Sequence, residues 1–159
     1  MELFLPCLYA FLACFFFGVV FELHRWRYLL SAGLTGGLGW LVYLLLADHG
    51  SVLRFFFATI VVASLAEVFA RIYKAPATIF LIIGIVPLVP GGGMYETMEA
   101  LINHDMPLFA ERGLATAASA GAIAVGCSLV SAVARILAVK RRERHARQRL
   151  KQTEKTEES

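Results

Sequence analysis

The sequence predicts an all-α fold: a polytopic membrane bundle of five transmembrane helices, with a Pro/Gly-broken fourth helix and a short amphipathic helix before the fifth. Three observations carry it. Hydrophobic residues make up 58% of the 159, and the mean hydropathy is +0.68, whereas soluble domains are about half apolar. The apolar residues fall into five stretches separated by charged segments. The charge of those segments alternates along the chain, basic then acidic.

The first stretch is Leu3–Phe21, with Pro6 in its opening turn. It has no basic n-region and no small-residue cleavage site before Glu22, so it reads as a retained span rather than a signal peptide. Tyr28–Ala47 is the second and Val52–Tyr73 the third. Ala75–Val89 is the fourth and is short against the ~20 residues a straight span needs. Met94–Asn103 then reads as an amphipathic helix, with Met94, Met98, Leu101 and Ile102 on one face and Glu96, Glu99 and Asn103 elsewhere. Asp105 is placed to cap the next helix, with Pro107 in its first turn. Gly113–Val139 is the fifth stretch, long enough to tilt.

Residues 1–139 are thus expected to form the membrane domain, and residues 140–159 a basic, then mixed-charge tail, disordered from Gln152. From Lys140 onward eight Lys/Arg face four Asp/Glu, so the whole positive excess of the chain lies in this tail. A basic run directly after a span is a topology signal held near anionic lipid, not a nucleic-acid site. His24, Arg25 and Arg27 follow the first span, Asp48 and His49 the second, and Arg71 and Lys74 end the third. Glu96, Glu99, Asp105 and Glu111 follow the fourth, with Arg112 the sole base among them. The positive-inside rule then puts the N-terminus outside a plasma (inner) membrane and the C-terminus in the cytosol. A four-span count would place basic loops on both sides. Arg54, on the outer side of the third span, is the one dissenting charge.

The stretch Ile83–Tyr95 is the chain's organising feature. Pro87 and Pro90 have no N–H, so the carbonyls of Ile83 and Val86 lose their helical donors. Gly91, Gly92 and Gly93 permit unusual backbone angles and leave peptide N–H groups open. Broken backbone at membrane depth survives only inside protein or beside a water-filled cavity, and in transporters it builds substrate sites. The other reading is a plain helix end with a glycine-rich turn at the lipid surface. If a site is present, the N–H groups at the start of the Met94 helix favour a carboxylate. Glu96 and Glu99 would then suit a zwitterion's ammonium, or else form a solvated outer face.

Two further patterns are candidates. Ser64, Glu67, Arg71 and Lys74 form a polar stripe on the third span. Glu67 is expected to carry a proton or contact substrate, while Arg71 reads as its i,i+4 partner, snorkelling to the cytosolic surface. Gly33 and Gly37 on the second span, and Ala118, Ala122 and Gly126 with Ala117 and Gly121 on the fifth, mark faces of close helix packing. Nothing points to catalysis, a cofactor or a metal. Cys7, Cys14 and Cys127 lack CxxC spacing, the four histidines are scattered, and no phosphate loop occurs.

At Pro87-Leu88-Val89-Pro90-Gly91-Gly92-Gly93-Met94-Tyr95 the chain resembles the Pro-Leu-Val-Pro-Gly…Tyr signature of the threonine/serine exporter family. Arg71 and Pro76 match the usual lead-in. Phe17–Phe21 and Gly36–Tyr43 are similar to that family's first two spans. After Phe21 the family often has Asn and Pro, where this chain has Glu22-Leu23-His24-Arg25. The resemblance covers about Leu3–Val139, the small five-span half of that family. It implies a secondary exporter of small amino acids or of dicarboxylates such as succinate, with a pathway at Glu67, Arg71, Pro87, Pro90, Gly91, Gly92, Gly93 and Tyr95. It also implies a partner, a larger membrane subunit with five spans and a soluble N-terminal region; assembly with further copies of this chain is the other option. The competing function is a non-transporting scaffold that stabilises a larger membrane partner through its glycine faces.

Overall fold

The computed structural model describes the backbone of residues 4–157 and the side chains of residues 4–140. Among the described residues every element is helical: α1 Phe4–Val20, α2 Trp26–Leu45, α3 Ser51–Tyr73, α4 Ala77–Ile85, a 3-10 turn Val86–Leu88, α5 Gly91–Ile102 and α6 Met106–Glu157.

Missing side chains set the closest approaches. Phe11 of α1 lies over Gly33 and Gly37 of α2, and Cys14 lies against Gly36. Gly39 faces Val62 of α3, Gly84 of α4 faces Thr35 and Val62, and Gly126 of α6 faces Thr59 and the Phe56 carbonyl. Small residues let backbones meet in lipid, where apolar surface alone gives helices no reason to associate. Gly33 and Gly37 lie against α1, Gly126 lies against α3, and Ala122 is buried, all within the chain. Ala118, by contrast, is exposed, and Ala117 and Gly121 also face outward. The buried stripe of α6 runs through Ser119, Ala122, Gly126 and Ala134, so its centre is turned well away from Ala118 at 100° per residue.

These contacts fix direction. α1 and α2 are antiparallel, as are α2 and α3, where Ser31 bonds the Tyr73 hydroxyl at one end and Arg54 stacks on Tyr43 at the other. α4 fills the groove between α2 and α3, with Phe80 fully buried among Tyr28, Phe69 and Tyr73. α6 runs parallel to α3 and, among the described residues, packs against α3 and α5 alone. Arg25, Arg27, Arg71 and Lys74 therefore gather at one end, and Asp48, Glu96, Glu99 and Asp105 at the other, with Arg54 and Arg112.

By length and composition three helices can cross a membrane: α2, α3 and Met106–Lys140 of α6. Ala77–Leu88 and Gly91–Ile102 pass together as one bent pair, kinked by 48°, and the apolar α1 has 17 residues. Among the described residues the count is three, or four with the bent pair, which is consistent with a helical membrane bundle and does not confirm five full spans. The fourth apolar run is cut at Pro87, and α1 is described from Phe4 onward. The amphipathic helix starts at Gly91 rather than Met94. α6 begins at Met106, with Asp105 capping the Leu108 N–H at 3.1 Å, and its backbone stays helical to Glu157. Disorder from Gln152 is therefore not seen through Glu157. Lys, Arg, Gln and Glu are all good helix formers, and propensity favours continuation. Glu158 and Ser159 lie outside the described residues.

Candidate functional site at the broken helix

The break repairs its own hydrogen bonding. With no N–H at Pro87, the Ile83 carbonyl accepts from Val86 N–H and from the Cys14 thiol at 3.2 Å. The Val86 carbonyl accepts from Val89 N–H at 3.3 Å. A tightened 3-10 turn thus replaces both lost donors, so neither carbonyl is left unpaired. Leu88, fully buried between α2 and α3, pins the turn to the core.

Pro90 then turns the chain. Its φ of −76° and ψ of 55°, with Gly91 N–H bonded to the Val89 carbonyl at 2.7 Å, make an inverse γ-turn. Gly91, Gly92 and Gly93 follow as the first turn of α5. None has positive φ, so the unusual backbone angles expected of them are absent. The three differ in what they face. A Cβ at Gly93 would come within 2.5 Å of Thr116 Oγ1, whereas Gly91 and Gly92 look into open space. Close approach of α6 explains Gly93; packing does not explain the other two. The Gly92 and Gly93 N–H groups have no acceptor among the described residues, as the first turn of a helix dictates.

Beside them lies a cavity of about 390 Å³. One wall is the break: Pro87, Val89, Pro90 and the three glycines. Trp40 and Tyr43 of α2 and Phe55 of α3 supply aromatic surface. Ser51, Thr116 and Ser119 supply hydroxyls, and Glu96 and Arg112 supply charge. Arg112 Nη1 donates to Glu96 Oε2 at 2.9 Å, and both side chains are about half exposed. Thr116 and Ser119 spend their hydroxyl protons on the carbonyls of Arg112 and Ala115, so toward a ligand their oxygens can act only as acceptors. Arg54 steadies Tyr43, its guanidinium 4.1 Å from the ring centroid and its Nε bonded to the Tyr43 carbonyl at 3.2 Å. The arrangement offers N–H and guanidinium donors for a carboxylate, carboxylate and hydroxyl acceptors for an ammonium, and an aromatic wall for a short side chain.

The predicted site residues divide. Pro87, Pro90, Gly91, Gly92 and Gly93 line the cavity together. Tyr95 is 70% exposed and does not line it. Glu67 and Arg71 lie at the opposite end of α3, ~18 Å or more along the helix from Phe55. They pair with each other at 3.7 Å, and Arg71 Nη2 reaches the Ala134 carbonyl at 3.5 Å. The cavity also sits beside the first two turns of α3, at the end of the bundle rather than its middle. Glu96, singled out in the sequence as a partner for an ammonium, does line it, whereas Glu99 does not. Trp40, Tyr43, Ser51, Phe55, Arg112, Thr116 and Ser119 were not foreseen as lining residues; of these only Arg112, the lone base of an acidic segment, stood out in the sequence.

Neither a curated protein nor a solved structure matches the chain. The family model described as "Threonine/Serine exporter, ThrE" matches residues 6–133. That range contains the break, the cavity and the α3–α6 contact at Thr59 and Gly126, and with it the chain belongs to the threonine/serine exporter family.

Proposed function

We propose that this chain is the small membrane subunit of a two-component secondary exporter, and that the cavity at the break holds a small hydroxylated amino acid, serine or threonine. One observation carries the reading: opposite charges and free helix N–H groups meet at the mouth of a cavity otherwise walled by aromatic rings and hydroxyls. A zwitterion engages both members of the Arg112–Glu96 pair, whereas a dicarboxylate meets repulsion from Glu96. A cavity of this size suits a small ligand. Arg112 and the Gly92 and Gly93 N–H groups would take the carboxylate, and Glu96 the ammonium. Thr116 and Ser119 are placed to accept from the side-chain hydroxyl. The larger subunit of the pair would complete the pathway from the lipid-exposed sides of α1 and α6.

The scaffold reading loses its basis at Gly33 and Gly37, because α1 already occupies that face. The experiment is threonine efflux from preloaded cells carrying this chain with and without a larger subunit of the family. Efflux needing both chains, inhibited by serine but not succinate, is expected. Succinate efflux in place of threonine overturns the substrate assignment. Full efflux from this chain alone overturns the two-component assignment.

A further inference from the structure

The cavity and the Glu67–Arg71 pair stand at opposite ends of one contact, the seam between α3 and α6. Thr59 lies between them. It is fully buried, and its Cβ and methyl group face α6: Gly126 is so close that a Cβ there would sit 3.2 Å from the Thr59 Cβ and Cγ2. Its hydroxyl oxygen has no hydrogen-bond partner, and it is the one such buried side-chain atom among the described residues. That is unusual in this molecule. Thr35, Thr97, Thr116 and Ser119 each donate to the carbonyl four residues earlier at 2.7–2.9 Å, the ordinary resting place of a hydroxyl on a helix. A buried hydroxyl without a partner is costly and calls for an explanation.

The surroundings supply one. Phe55, Thr59, Ala63, Glu67 and Arg71 follow at intervals of four, and so form a single row along α3. The row starts in the cavity wall and ends where Arg71 reaches across to the Ala134 carbonyl. Opposite it, α6 presents Ser119, Ala122, Gly126 and Ala134, and apart from its hairpin partner α5 it has no neighbour other than α3 among the described residues. A helix held on one side by small residues can separate from its partner without disturbing the rest of the bundle.

We infer that the α3–α6 seam opens to form the substrate route between the basic end and the cavity, with the Thr59 hydroxyl as its polar contact midway. This rests on the exporter reading above, and the test separates the two. Thr59→Val keeps the shape and removes the orphan hydroxyl, so the variant should accumulate in membranes as well as the native chain. Its threonine efflux should fall about tenfold, the worth of roughly one hydrogen bond at the transport barrier, while Thr59→Ser stays near native. Independently, the Thr59→Cys variant in membranes should react with a small water-soluble thiol reagent, with labelling at that position read by peptide mapping and slowed by L-threonine. Native efflux from Thr59→Val, or a Thr59→Cys thiol unreactive from both sides, overturns the proposal. If the native chain moves no threonine, the substrate assignment fails, and the labelling still decides whether the seam opens.

Discussion

Arg112 and Glu96 meet across the α5–α6 hairpin with both side chains half in solvent. Exposed pairs of this kind add only about 0–1 kcal/mol to stability. Replacing either should therefore leave the fold intact and act on the ligand. Arg112→Gln is expected to raise the KM for threonine efflux by roughly tenfold or more, since a charge-assisted bond to a carboxylate is worth about 1.5–3 kcal/mol, with membrane abundance unchanged. An unaltered KM would remove Arg112 from the site. Glu67→Gln is the contrasting case. Glu67 pairs with Arg71 and lies far from the cavity, so loss of its charge should spare KM. A lower maximal rate from Glu67→Gln would place it on the route rather than at the binding site.

At the scale of the element, glycines separate by what faces them. A Cβ at Gly36 would overlap the Cys14 sulfur, and one at Gly39 would overlap Val62. Gly36→Ala should push α1 off α2 and cost about 1–3 kcal/mol, as overpacking does, read as a lower melting midpoint in detergent. Gly91→Ala meets open space in the first turn of α5. It should be neutral, or stabilise by up to ~1 kcal/mol through helix propensity. Gly92→Leu should keep stability and block efflux, because its side chain projects at the cavity mouth. Much of this was legible in advance. Proline and glycine placement located the break, and i,i+4 small residues marked faces for close packing on α2 and α6 without naming the helices they meet. The cavity's other walls were not legible. Trp40, Phe55 and Ser119 reach it only because three helices converge there, and a single helix's periodicity says nothing of its neighbours. The repair of the Ile83 carbonyl by Cys14 was hidden for the same reason: its partners are 69 residues apart.

For the whole molecule, the helix directions gather basic residues at one end and acidic residues at the other. By the positive-inside rule the basic end is expected on the cytosolic side. Single cysteines replacing Asp48 and Lys140 should then label from opposite sides of the membrane, the first from outside. Labelling of both from one side would refute the assignment. The cavity, beside Ser51 and Gly91, would open outward, as the release side of an exporter requires.

The helices also differ in length, and that has a consequence for the surrounding lipid. At 1.5 Å per residue, the apolar run Leu3–Phe21 would reach ~28 Å as a helix, about the ~30 Å of the hydrocarbon layer. The apolar run Gly113–Val139 of α6 reaches ~40 Å on the same count. α1 and α6 lie at opposite edges of the bundle, so the apolar belt is thinner on one side than on the other. A uniform bilayer fits only one edge, and mismatch costs fractions of a kcal/mol for each ångström. The α6 edge should therefore tilt, or thicken the bilayer beside it. Efflux in reconstituted vesicles should fall as acyl chains are shortened and recover as they are lengthened.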